Sequence, residues 1–157
     1  MEVVPMDPTM ISPWGADWIW SLPLIAATVV MHSFGLAFID HRVSFVLNGN
    51  GKPRLGSGVS GLIMGGAALF ATLLHGFEAS IWAAAYIMLG AVSDRKSAML
   101  YSLSAMTTYG HTNIHLELHW QLMGSLEALN GWILFGLTTA FLFTVMYRVW
   151  PHVNHTT

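Results

Sequence analysis

Ser102-Leu-Ser-Ala-Met-Thr-Thr-Tyr-Gly-His-Thr-Asn-Ile114 is a short, hydroxyl-rich stretch with one glycine, set in an otherwise apolar chain. The apolar run 118–146 follows it, broken by few polar residues. Thr107-Thr108-Tyr109-Gly110 does not cross lipid as a helix by itself. Non-helical backbone survives at membrane depth only where protein buries it or where it lines a watery path. The stretch therefore reads as a re-entrant hairpin, a half-helix followed by an extended strand. In such a hairpin, backbone carbonyls and threonine hydroxyls can replace an ion's water shell.

Composition fits that setting. The chain is 54% hydrophobic and 9% charged, against roughly a quarter charged in soluble domains. A formal charge of −2 leaves no basic patch for nucleic acid. Without cysteine there are no disulfides, thiolate metal sites or thiol nucleophiles. At 157 residues the chain is one domain, too small to enclose a pore alone and large enough for one quarter of one. Its start is not expected to be a signal peptide: Glu2 and Asp7 occupy the region that should be positive, and Pro5, Pro8 and Pro13 interrupt it.

Residues 1–17 read as an acidic, proline-rich lead-in outside the membrane, with Trp14 and Trp18 at headgroup level. No formally charged residue occurs from Trp18 to Ile39, which is long enough to span. Pro23 lies near its start, where a missing amide is best tolerated. The polar connection from Asp40 to Gly58 carries Arg42, Lys52 and Arg54 and a turn at 48–51. Residues 18–54 thus comprise a first transmembrane helix and a cytoplasmic loop. Residues 55–150 form the pore domain, and 151–157 a short cytoplasmic tail. The run Val59–Val92, interrupted only by His75 and Glu78, predicts one long helix whose outer part, 81–89, packs on protein. Gly61, Gly65 and Gly66 suit close helix contact. A short helix over Ser97–Thr107 follows, with Ser93 or Asp94 as its cap, then the strand to Ile114. A final helix from about Trp120 to Trp150 ends at Pro151. Three spans place the termini on opposite sides. With the N-terminus outside, four basic residues (Arg42, Lys52, Arg54, Arg148) lie inside and two (Arg95, Lys96) outside; that asymmetry favours N-outside, C-cytoplasmic. No arginine-rich voltage sensor and no large sensor domain is expected in this chain.

The segment 102–114, followed by Trp120-Gln-Leu-Met-Gly-Ser-Leu-Glu-Ala-Leu-Asn-Gly131 and Phe135-Gly-Leu-Thr-Thr-Ala-Phe-Leu-Phe143, resembles the bacterial two-helix-pore potassium channel family. There the filter reads T-T-x-G-Y-G-D and a final helix follows. The resemblance covers roughly residues 75–148. It implies a homotetramer in a bacterial inner membrane, four hairpins around one axial pore, and monovalent cations, potassium above all, as the only bound species. Thr107, Thr108 and Gly110 keep the family's residues, and Tyr109 takes its variable position. His111 stands where the family has tyrosine, Thr112 where it has the second glycine, and Asn113 where it has aspartate. Thr112 resists the left-handed backbone that glycine adopts. The expectation is a weakly selective cation pore, with His111 adding sensitivity to mild acid outside.

Other residues admit more than one reading. His75 and Glu78, and likewise Glu127 and Asn130, lie i, i+3 on a helical face; intramembrane ionisable groups are costly and need partners. They read as bracing behind the filter, with direct ion contact as the alternative. Gly131 and Gly136 read equally as a gating hinge or as close packing. His111, His115 and His119, four apart with Glu117 between the last two, are weak metal-ligand candidates that require a helix there. The expected architecture is all-α and integral to the membrane: three transmembrane helices, a re-entrant pore helix and a filter loop, tetrameric, with no covalent catalysis. A histidine-based metal-binding protein or metalloenzyme, or a non-conducting scaffold, are the competing readings.

Overall fold

A computed structural model describes residues 14–48, 56–110 and 113–150. Four α-helices account for most of them: α1 (Trp14–Asn48), α2 (Ser57–Met88), α3 (Arg95–Met106) and α4 (Gln121–Val149), with a 3-10 turn at Leu118–Trp120 before α4. There is no strand among the described residues. Three helical stretches are long and apolar enough to cross a membrane: Gly15–Asn48, Ser57–Met88 and Leu118–Val149. Large apolar side chains such as Phe34, Leu62 and Phe135 cover the outer surface.

Side-chain contacts fix the direction of each helix. Asp17 meets Met123, Thr28 meets Asn130, His32 meets Thr138 and Asp40 meets Arg148, so α1 and α4 run parallel. α2 is antiparallel to both: Ser60 bonds the Val149 carbonyl near one end and Tyr86 bonds Glu127 near the other. The three helices of spanning length thus alternate in direction, as three consecutive spans require. Two boundaries differ from expectation. α1 starts at Trp14, so Pro23 lies within the helix and leaves the Ile19 carbonyl without its usual amide. It also runs on to Asn48, where a polar connection was expected from Asp40. Val43 is buried there with Leu36, Ile39, Ala67, Val145 and Val149, and Arg148 holds Asp40 at 2.7 Å. Packing carries the helix past its polar residues until Asn48.

Two apolar clusters occupy the ends of the bundle. The cluster just named closes one end; Trp82, Tyr86, Ala98, Tyr101, Trp120 and Met123 close the other. α2 is unbroken at Gly76, and its outer part buries Trp82 and Tyr86, as expected of 81–89. It stops in a Schellman motif: Gly90 has φ +67°, Ala91 N–H donates to the Tyr86 carbonyl and Gly90 N–H to that of Ile87. Asp94 then caps α3 through the amides of Lys96 (2.9 Å) and Ser97 (3.2 Å). Hydrogen bonds from the Ser97 hydroxyl and from these amides hold the Asp94 carboxyl below its ordinary range. α4 has no side-chain cap of its own. Asp17 of α1 supplies one by accepting from Met123 N–H at 2.9 Å, at the end where the helix dipole favours a carboxylate.

α3 lies in a notch on α4. Gly124 faces the Tyr101 phenol, and a Cβ at Gly131 would stand 2.8 Å from Met106 Cα and 2.9 Å from its carbonyl carbon. Gly131 is therefore a packing glycine, whereas a Cβ at Gly136 would meet nothing within 4 Å. Gly131→Ala should destabilise the fold by about 1–3 kcal/mol, because backbone must move. Gly136→Ala should raise helix stability by up to about 1 kcal/mol. Thermal unfolding of the two variants in detergent checks the pair.

Candidate functional site

α3 has 12 residues and is about 18 Å long, too short to span a ~30 Å hydrocarbon core. It ends in a second Schellman motif, with Tyr109 N–H on the Ser104 carbonyl and Thr108 N–H on that of Ala105, both at 3.0 Å. The left-handed position that glycine fills after α2 is filled here by Thr108, at φ +54°. A β-branched residue there costs on the order of 1–3 kcal/mol. Thr107 and Thr108 thus close a helix, and the extended segment expected after Thr107 begins no earlier than Tyr109. The hydrogen bonds of the helix end are what hold Thr108 out of it. Gly110 has φ +88°. Thr107, Thr108, Tyr109 and Gly110 are all exposed in the single chain. His111 and Thr112 lie outside the described residues.

Below this loop is a cavity of 630 Å³, lined by Thr107 and Thr108, by Thr72, His75 and Gly76 of α2, and by Gly131, Trp132 and Phe135 of α4. These α2 and α4 residues sit near the middle of their helices. α3 therefore delivers its C-terminal carbonyls, the partly negative end of its dipole, to the mid-level of the bundle.

Glu127 locks α3 from behind. Its carboxyl is fully buried and contacts the Tyr86 hydroxyl of α2 at 2.5 Å and the Ser102 hydroxyl of α3. The Ser102 hydroxyl also reaches the Ala79 carbonyl at 2.8 Å. These three contacts need three hydrogens, and the two hydroxyls hold two. A hydrogen on Glu127, donated to Ser102, completes the set. Asn130, expected to act beside Glu127, turns instead to α1 and donates to Thr28 Oγ1 at 2.8 Å.

His75 and Glu78 are brought together, with partners the sequence did not name. Glu78 Oε1 is 2.8 Å from His32 Nδ1, and Glu78 Oε2 is 3.3 Å from His75 Nδ1. The Nε2 atoms of His32 and His75 converge on Thr138 Oγ1 at 2.9 and 3.0 Å. The two imidazole centroids are 4.9 Å apart. One signal was available: His32 is the sole ionisable side chain between Trp18 and Ile39, and such a residue calls for a partner. Thr138 was legible only as one of several hydroxyls on a largely apolar final helix. His115, Glu117 and His119 are exposed; His119 packs beside Trp120, and 113–117 is not helical, so the stacked face that metal binding there needed is not formed. Among the described residues, the cluster with metal-ligand spacing is His32, His75 and Glu78.

Comparison with protein-family models, with curated proteins and with solved structures gives no match. The resemblance to two-helix-pore channels therefore stands on the quoted residues.

Two substitutions test the geometry. Glu127→Gln keeps a donor for Ser102 and an acceptor for Tyr86 and should be nearly as stable as the parent. Glu127→Ala strands both hydroxyls and should cost about 1–3 kcal/mol for each. Thr108→Gly should relieve the strain and stabilise α3 by about 1 kcal/mol or more. Denaturation midpoints and amide exchange along α3 read all three.

Proposed function

We propose that the chain is one subunit of a passive cation channel: a homotetramer in a bacterial plasma membrane, N-terminus outside and C-terminus cytoplasmic. Four α3–loop segments surround a shared path for monovalent cations, potassium among them. The observation that carries this reading is the level at which α3 stops. Its end and the irregular backbone after it lie beside the middle of α2 and α4, helices long enough to span. There Thr107–Gly110 are uncovered by their own chain. Uncovered carbonyls and hydroxyls at that depth are sustainable only against water or further protein. A ring of copies around a wet axis supplies both.

The chemistry follows from the parts. The partly negative end of α3 favours a cation beside it, and carbonyls and threonine hydroxyls offer hard oxygen ligands in place of water. Glu127, Tyr86 and Ser102 keep α3 from sliding, and Gly131 lets its last turn reach the inner face of α4. No bond is made or broken.

Reconstituted liposomes test the proposal with potassium, sodium and calcium. The tetramer should pass potassium and sodium with weak discrimination, and flux should fall as the outer pH drops below about 6.5, where a histidine such as His111 gains positive charge. His111→Tyr with Thr112→Gly should sharpen potassium preference and remove the acid effect. A well-folded tetramer passing no cation, or a monomer that conducts, refutes the reading.

A further inference from the structure

His32, His75, Glu78 and Thr138 form a closed ring of side chains at the junction of α1, α2 and α4, and its hydrogens can be counted. Three of its four contacts have hydrogen-bond geometry: His32 Nδ1 to Glu78 Oε1, His32 Nε2 to Thr138, and His75 Nε2 to Thr138. Two neutral imidazoles and one hydroxyl carry three hydrogens, and an ionised carboxylate only accepts. One assignment fills all three bonds. His32 Nδ1–H donates to Glu78, the Thr138 hydroxyl donates to His32 Nε2, and His75 Nε2–H donates to Thr138. The fourth contact is then left with no hydrogen. His75 Nδ1 presents a lone pair to Glu78 Oε2 across 3.3 Å, and that oxygen is fully buried without a hydrogen-bond partner.

Two acceptors held face to face in a buried site need a cation between them. A proton on His75 would join the two as an ion pair at this distance. The separation suits a metal as well. Tetrahedral zinc with bonds of about 2.0–2.1 Å sets neighbouring ligand atoms about 3.3 Å apart. We propose that His75 Nδ1 and Glu78 Oε2 are ligands of a zinc-class divalent ion, with His32 as the third ligand. Imidazole and carboxylate together suit such an ion.

The surroundings fit. One ligand atom from each of His32, His75 and Glu78 already lies within 4.8 Å of the others. His32 completes the set by moving Nδ1 from Glu78 Oε1 to the ion. Its Nε2 then carries the hydrogen, as that of His75 already does, and Thr138 Oγ1 accepts from both with its two lone pairs. That is the outer-shell support that orients metal-bound histidines. Glu78 and His32 are sealed, but the His75 side chain is 26% exposed and lines the 630 Å³ cavity. The cavity is the entry route and holds water for the fourth position.

The test uses the full chain purified in detergent, stripped with chelator and titrated with zinc or cobalt(II). One ion per chain should bind, and cobalt should give the intense visible bands of a tetrahedral site with nitrogen and oxygen ligands. His75→Gln and Glu78→Gln should abolish stoichiometric binding. Thr138→Val should weaken it by about 10–100-fold, and the exposed pair His115→Gln, His119→Gln should leave it unchanged. Clearly substoichiometric binding by the parent overturns the site, as does binding retained in a folded His75→Gln variant or lost with the exposed pair. Should a core variant not fold, parent stoichiometry, the cobalt spectrum and Thr138→Val still decide. Ion flux is not read here, so this result and the channel reading stand or fall separately.

Discussion

A buried carboxyl group facing two hydroxyls from two other helices is the interaction on which the arrangement turns. Glu127 projects from α4 into a region where apolar surface would otherwise let α3 slide. In lipid no hydrophobic force presses one helix against another, so close backbone approach and polar pairing must do it. Gly124 and Gly131, two turns apart on the face that bears Glu127, supply the approach. Ser102 and Tyr86 supply the pairing. Without that lock, α3 would have little reason to stop at mid-level with its last carbonyls directed at a cavity.

The same logic organises the rest of the bundle. The two larger apolar clusters sit at the ends, and between them interhelical polar links accompany a smaller apolar cluster of Ala79, Met106 and Leu134. Thr28 with Asn130, Glu127 with its hydroxyls, and the His32–His75–Glu78–Thr138 ring each join residues from different helices. Each link fixes rotation and register, which apolar packing alone leaves loosely specified. His75 carries these links to the wall of the cavity under α3. A change in the ring would be felt in α1, α2 and α4 together.

Among the described residues, the non-glycine residue with left-handed backbone, Thr108, lies in the segment that carries the proposed chemistry. α2 and α3 end in the same hydrogen-bond motif, yet α2 uses Gly90 where α3 uses Thr108. A glycine after α3 would be more stable and would remove a hydroxyl from the loop. The extra strain at Thr108 is tolerable because α3 is tied down at both ends, by Asp94 at its start and by the Gly131 notch at its finish.

Much was legible in the sequence. Long runs with at most one charged residue located three helices long and apolar enough to span a membrane. The polar break at 93–96 and the hydroxyl-rich stretch at 102–108 located a short helix that does not span, and narrowed its cap to Ser93 or Asp94, of which the structure uses Asp94. The spacing of His75 and Glu78 put them on one face. What the sequence left undecided is which helices meet. Partners such as His32 with Thr138, Asp17 with Met123, and Glu127 with Ser102 and Tyr86 lie 25 to 106 residues apart, and no local period relates them. Whether Gly131 bends or packs and how far α1 continues past Asp40 are likewise properties of neighbours. Propensity and hydropathy are set within one helical segment, whereas hydrogen bonds between segments exist only once the segments share a register. That is why the tertiary structure alone brought His32, His75 and Glu78 to one point.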